Sequence, residues 1–272
     1  MIFGVEVDAG DITARLQFGG MGAPRTVTVV GFKAARKTQV VEALVAELTR
    51  RGYRVGTLKH TADEHPLDKQ WTDTWRHVEA GAVSSAILSD NRTAIFLKRA
   101  MSLQRAADAL GDVDFIIMEG FKALDVAPRI MVPRTQDEVA TLMTGLEIAV
   151  VDVEGNMLDT GTLPSIKLSD TVALTDIVEK RAYPMLAGLD CKACGFPTCR
   201  ELGKTILTGE RKAESCVKYS HDVLLRVDSS VIPLNKFTGS ALVNVVLGFM
   251  KTLKGSEAPH QVELEFEVKK DA

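Results

Sequence analysis

Thr26-Val-Thr-Val-Val-Gly31-Phe-Lys-Ala-Ala-Arg-Lys37-Thr38 decides the architecture of this 272-residue chain. An apolar, β-branched run from Thr26 to Gly31 predicts a buried strand. Thr38 to Arg51 then places Val41, Leu44, Val45 and Leu48 on one helical face before Gly52 stops it. The loop between the two has the frame of a phosphate-binding loop, Gly-x4-Gly-Lys-Thr. In that motif successive backbone N–H groups surround phosphates, the lysine reaches the β and γ oxygens, and the hydroxyl holds Mg²⁺. Gly31, Lys37 and Thr38 match, but Arg36 stands where the second glycine belongs. A side chain there restricts the backbone and is expected to crowd the space of a phosphate.

The same alternation continues outward. Tyr53 to Leu58, Ser85 to Leu88, Thr93 to Leu97, Phe115 to Met118, Ile130 to Val132 and Ile148 to Val153 read as strands, the second and third flanking an Asp90-Asn91 turn. Asp73 to Ala80, Ser102 to Leu110 and Asp170 to Arg181 read as helices. Residues 25–182 are therefore expected to form an α/β, P-loop NTPase-like sheet with helices on both faces. In such a sheet the ligand crevice lies beyond the carboxyl ends of the strands. Lys59 and His60 end one strand and Glu119 ends another. Glu119 is placed to serve a magnesium ion or orient a water, and Lys59 to meet a phosphate. No His-x3-His spacing occurs, so His60 and His77 do not read as a metal pair.

The termini carry a different pattern. Phe3 to Val7 and Ile12 to Phe18 suggest a hairpin in residues 1–24. Asn235 to Lys254 reads as a helix and Val262 to Val268 as a strand, within a segment 227–272 that would join the N-terminus in a small α+β unit. The stripe Leu242, Val245, Val246, Phe249, Met250 and Leu253 reads as a packing face.

The four cysteines all fall in the segment 183–226, as Cys191-x2-Cys194-x4-Cys199-x16-Cys216. Gly195 and Pro197 make a turn among the first three, and Arg200 to Leu207 reads as a helix whose unpaired N–H groups would favour an anionic centre. Four thiolates suit one [4Fe-4S] cluster. A structural zinc would also accept them, but zinc ribbons usually pair two close Cys-x2-Cys knuckles and this chain has one. Disulfides fit least, because nothing in the sequence looks secreted. The spacing resembles the small four-iron, four-sulfur domain of anaerobic redox and corrinoid proteins, and differs from the bacterial ferredoxin run.

Composition narrows the partners. With 46% hydrophobic and 25% charged residues the chain can bury a large domain and one or two small ones. A formal net charge of −3 and no basic stripe argue against a nucleic-acid binder. The first residues lack a cationic region followed by a long apolar run, and no stretch approaches membrane-spanning length, so a cytoplasmic protein is expected.

Several short motifs in register carry a family resemblance. Gly-Phe-x4-Lys-Thr, Gly52-Tyr-Arg-Val-Gly-Thr-Leu-Lys-His60, Asp68-x4-Asp73-Thr-Trp-Arg76-His-x-Glu-Ala-Gly81-Ala, Met118-Glu-Gly-Phe-Lys122 and Pro128-Arg-Ile-Met-Val132 follow one another. That order resembles the molybdopterin-guanine dinucleotide biosynthesis protein B (MobB) family over about residues 26–153. The resemblance implies a GTP-binding P-loop protein, often dimeric, with weak GTPase activity, that assists the guanylyltransferase attaching GMP to molybdopterin. It would give Lys37 and Thr38 to phosphate and Mg²⁺, line the same cleft with Lys59, His60, Asp68, Asp73 and Arg76, and put Glu119 in the acidic role. Departures are Arg36, Ala35 before it, and Trp71 where a glycine is expected. No guanine-reading motif stands out, since Asn235-Lys236 lacks the following aspartate.

Two functions remain open at this stage. One is a GTP-binding accessory protein of molybdenum or tungsten cofactor biosynthesis with an appended [4Fe-4S] module, acting on a guanylyltransferase or a molybdenum or tungsten enzyme. The other is a non-catalytic iron–sulfur redox or scaffold protein with a degenerate P-loop.

Overall fold

The computed structural model describes residues 11–17, 23–61, 68–156, 158–216, 223–227, 230–232, 234, 236–253 and 261–267. In chain order the strands are β1 (Asp11–Gln17), β2 (Arg25–Val30), β3 (Val55–Lys59), β4 (Ser84–Leu88), β5 (Thr93–Leu97), β6 (Phe115–Glu119), β7 (Arg129–Met131), β8 (Glu147–Asp152), β9 (Ser165–Lys167), β10 (Tyr183–Pro184), β11 (Val223–Val227), β12 (Ser230–Ile232) and β13 (Gln261–Glu267). The helices are α1 (Lys37–Arg50), α2 (Asp73–Glu79), α3 (Leu103–Asp108), α4 (Gln136–Leu142), α5 (Thr171–Arg181), α6 (Cys199–Leu207) and α7 (Lys236–Met250).

The central sheet runs β3-β6-β2-β7-β8-β9, all neighbours parallel, with β10 added antiparallel to β2. Parallel strands covered on both faces favour continuous apolar runs; β6 has one, while β2 alternates its buried valines with buried Thr26 and Thr28. Side-chain alternation divides each run between two layers. Phe115 and Ile117 of β6 join Val27 and Val29 of β2 beneath α1 and α5. Ile116 and Met118 point the other way and meet Ala107 of α3, Tyr183, Leu186, and Cys199 and Leu202 of α6. The cysteine segment thus shares a buried cluster with the sheet.

Helix ends follow side-chain chemistry. Thr72, Ser102, Thr135, Asp170 and Thr198 each accept a first-turn N–H and open α2, α3, α4, α5 and α6. On the α1–α5 side, Glu47 accepts from Arg50 and Arg51, and Arg51 also reaches Asp176 and Glu179 of α5. The Arg50 hydrogen bond, followed by that of Arg51, holds the Glu47 carboxyl down at about 2.

Several expectations change. Phe3 to Val7 lies outside the described residues, and the strand expected at Ile12 to Phe18 appears as β1, which pairs antiparallel with β11 and β13. β4 and β5 pair only with each other, as a two-stranded hairpin outside the central sheet. β11 runs across the expected boundary at residue 226, and α4, β9, β10, β11 and β12 were not anticipated. The α7 stripe is only half packed. Val246 is buried against Leu242, Val243 and Met250, while Val245, Phe249 and Leu253 are exposed.

Candidate functional site

β2 delivers the phosphate-type loop to the carboxyl end of the sheet, between β6 and β7. Gly31 has no room for a side chain, because a Cβ there would lie 2.7 Å from the Val132 carbonyl oxygen. Arg36 takes the left-handed conformation, φ 59°, as the residue before α1, and its side chain is exposed. The expected crowding by Arg36 is therefore replaced by backbone strain: the loop keeps a glycine-type conformation with an arginine in it. That conformation costs a non-glycine residue about 1–2 kcal/mol. Arg36→Gly relieves it, offset by about 0.4–1 kcal/mol through the freer unfolded chain. Scanning calorimetry should find Tm higher by a degree or two, and a fall in Tm would contradict the strain.

Glu119 gathers the loop. Its carboxylate accepts the Thr38 hydroxyl at 3.0 and 3.1 Å and pairs with Lys59 Nζ at 3.0 Å. Lys37 Nζ donates to the Phe32 carbonyl, 2.7 Å away. Burial lowers the Lys37 pKa, the Glu119 charge raises it, and Lys122, Lys59 and Arg134 lower it further. Lys122 lies over the Phe32 ring at 4.3 Å. The loop is ringed by cations around one carboxylate, which suits a polyanion with a divalent metal. His60 donates its backbone N–H to Glu119 O at 3.0 Å, and its ring stands 5.3 Å from that of Phe121. The turn after Glu119 needs Gly120, at φ 94°, since a Cβ there would meet the His60 carbonyl at 2.9 Å.

Asp68, Asp73 and Arg76 belong to α2 and the turn before it. Asp68 accepts from the Thr74 hydroxyl and the Lys69 N–H, fixing the start of α2, while Asp73 and Arg76 are exposed on that helix. Among the described residues no hydrogen bond or ion pair joins these three to Lys37, Thr38 or Glu119. Trp71 holds φ 70° and is largely exposed, with its ring against Trp75.

The four cysteines are free and line one pocket with Leu189, Asp190, Lys192 and Phe196. Cys199 and Cys216 are buried, Cys194 is half-buried and Cys191 is exposed. Left-handed residues at Asp190, Lys192 and Gly195 curl the loop that carries the first two. Among the described residues no three His, Cys, Asp or Glu side chains stand together as a ready metal-ligand group. The donor set is nonetheless chemically suited to iron–sulfur, with four unpaired thiols among the residues that line one pocket. α6 begins at Cys199, one residue earlier than expected, and two of its first N–H groups are already engaged. That of Cys199 donates to Asp190 at 2.6 Å and that of Glu201 to Thr198. Burial, the largest influence, pushes the Cys199 thiol up, and backbone hydrogen bonds partly offset it.

Sequence reasoning passed over Lys122 and Asp190. Lys122 stood within the quoted Met-Glu-Gly-Phe-Lys motif, which is a usable signal, whereas nothing in the sequence singled out Asp190.

A parallel sheet carrying a Gly31-to-Thr38 loop that closes on a strand-end carboxylate defines a P-loop-like α/β protein. Residues 26–153 match the family model described as "MobB: Molybdopterin guanine dinucleotide synthesis protein B", and residues 186–218 match one described as "Putative Fe-S cluster". A Methanocaldococcus jannaschii protein named "Putative molybdopterin-guanine dinucleotide biosynthesis adapter protein" is 28% identical over 90% of this chain and 99% of its own length. The Haemophilus influenzae molybdopterin-guanine dinucleotide biosynthesis adapter protein is 27% identical over 51% of this chain and 83% of its own. The crystal structure of Bacillus subtilis MobB aligns with a TM-score of 0.49 at 25% identity, over 57% of this chain and 96% of its own. Residues 26–153 are thus similar in sequence to the MobB family, on a sheet of P-loop-like topology. No helix among the described residues is long and apolar enough to cross a membrane.

Proposed function

We propose that this protein is a GTP-binding accessory protein of molybdenum or tungsten cofactor maturation that also carries a [4Fe-4S] cluster. The observation that carries the nucleotide half is the meeting of Thr38 and Lys59 on Glu119 beside Lys37. Thr38 and Glu119 would hold Mg²⁺, and Lys37, released from the Phe32 carbonyl, would join Lys59 and Lys122 in neutralising phosphates. Turnover is at most that of a weak GTPase. Guanine preference rests on the names of the relatives alone.

Cys191, Cys194, Cys199 and Cys216 would hold the cluster, which would supply one-electron exchange or a redox-sensitive prop. The working division is residues 25–182 for the nucleotide domain, 183–226 for the cluster domain, and 1–24 with 227–272 for the terminal unit. The partner is a guanylyltransferase or a molybdenum or tungsten enzyme, the setting is the cytoplasm, and dimers are in keeping with the reading.

The test is thermal protection by Mg²⁺-GTP. At about a hundredfold excess over Kd the gain is about 2.7 kcal/mol, a Tm rise of about 5–10 °C for a domain of this size. Lys37→Ala should abolish it. The scaffold reading draws on the strained Arg36 and the Lys37–Phe32 bond. A cluster-loaded protein that no nucleotide stabilises would establish that reading instead.

A further inference from the structure

Among the described residues, the buried side-chain atoms without a hydrogen-bond partner are Thr28 Oγ1, Asp125 Oδ1, Arg129 Nε and Nη1, and the Tyr183 hydroxyl. Arg129 and Asp125 at least face each other at 3.8 Å, and Thr28 stands beside Arg129 in the register of β2 with β7. Tyr183 is different. It is only 5% exposed, and its hydroxyl is a buried donor with no acceptor, a costly state that calls for an explanation. Two elements fix its place. β10 pairs Tyr183 with Thr26 of β2, and the side chain enters the layer that holds Cys199, Leu202 and Cys216. At the tip of the phenol lies α6, bare at Gly203: a Cβ there would stand 2.7 Å from the Tyr183 hydroxyl oxygen and 2.8 Å from Leu146 Cδ2. Gly203 follows Cys199 by one helical turn, so both lie on the same buried face of α6. The phenol therefore ends against the face that carries the Cys199 thiol. Burial, then the neighbouring Cys199 and Asp125, push the Tyr183 pKa up, so the hydroxyl keeps its proton and remains a donor.

We propose that Tyr183 donates its hydroxyl hydrogen to the Cys199 sulfur when that sulfur ligates the cluster, and that it thereby helps to set the cluster's reduction potential. The inference rests on the [4Fe-4S] reading of the four cysteines. A thiol is a weak acceptor, which accounts for a hydroxyl left unpaired beside Cys199 while the sulfur is protonated. A thiolate on iron carries charge and accepts strongly. Ile116, Met118 and Leu202 in the same layer offer its sulfur no side-chain donor, and the Cys199 N–H is already given to Asp190. Asp125 is the rival acceptor, but its carboxylate already pairs with Arg200 and has Arg129 nearby. A hydrogen bond to a ligand sulfur favours the more negative, reduced cluster and so raises the potential.

A potentiometric titration of the cluster, followed by EPR in the anaerobic holoprotein, tests the hydrogen bond. Tyr183→Phe keeps the ring and all four cysteines, and should retain about four iron atoms per chain. At a fixed potential its ratio of reduced to oxidised cluster should fall about tenfold, the size expected for losing a hydrogen bond to a charged acceptor, or about 59 mV for one electron. Replacing Tyr183 by 3-fluorotyrosine, a stronger donor, should shift the potential the opposite way. An iron-loaded Tyr183→Phe protein with the wild-type potential would overturn the inference, give the hydroxyl to Asp125 and leave the cluster reading intact. Loss of iron from Tyr183→Phe would also overturn it, by making the phenol a support of the fold. Wild-type protein that takes up no iron would overturn the cluster reading, and the inference with it.

Discussion

Anaerobically purified Cys199→Ser should contain close to no iron, against about four atoms per chain for a loaded [4Fe-4S] protein, and should lose its visible absorption. A hydroxyl is a poor substitute for a thiolate on iron, and Cys199 is the thiol on which the pocket most depends. It is buried, it opens α6, and its backbone N–H is tied to Asp190. The same substitution should also loosen the face of the sheet, because Cys199 and Cys216 belong to the cluster that includes Ile116, Met118 and Leu202. Iron and absorbance are measured together with Tm. Unchanged colour and iron would show that Cys199 is not a ligand. Lost iron with an unaltered Tm would show that the cluster and the sheet do not support each other.

Glu147→Ala should be the most damaging substitution far from either pocket. Glu147 opens β8, and its side chain is only 1% exposed. It accepts from the Thr144 N–H, the Thr144 hydroxyl and the Gly145 N–H at 2.7–2.9 Å. It also faces Arg129 of β7, which is equally buried, with Nε at 3.9 Å, while Asp125 lies 3.8 Å from the Arg129 Nη1. Burial lowers the Arg129 pKa, and Glu147, more than Asp125, raises it again. Removing Glu147 leaves the buried guanidinium with only Asp125 at 3.8 Å and the Lys122 carbonyl at 3.2 Å, and takes the acceptor from the Thr144 and Gly145 N–H groups. Breaking a buried pair from one side costs about 3–5 kcal/mol, a Tm loss of about 10 °C. Arg129→Met combined with Glu147→Leu should recover much of it, since the charge is then gone as well. A loss under about 1 kcal/mol for the single substitution would mean that solvent reaches Arg129.

The parts of the fold legible in the sequence were those whose own residues decide them. Ile116 and Ile117 lie in an unbroken apolar run, and Val27 and Val29 in a β-branched one, because parallel strands are covered on both faces. α4 was missed because only Val139 and Leu142 of its seven residues are buried, too few to set a helical period. β10 is a two-residue addition to β2, a pairing that no local pattern announces. The α7 stripe shows the limit from the other side: periodicity found the apolar residues but gave no sign that Val245 and Phe249 face outward. At the site, Lys59 and Glu119 were legible as strand ends, and the parallel register of β3 with β6 sets them side by side. The conformation of Arg36 was not legible, since only the folded loop decides whether its side chain fills the crevice or turns out of it.

The central claim is that the strained loop from Gly31 to Thr38 still binds a nucleotide, and isothermal titration of GTP and ATP with Mg²⁺ into the anaerobic, cluster-loaded protein tests it most directly. Saturable binding of GTP at one per chain, weaker binding of ATP and loss of heat in Lys37→Ala are the results expected. No heat from either nucleotide would contradict the account and leave the loop as scaffold for the cysteine segment.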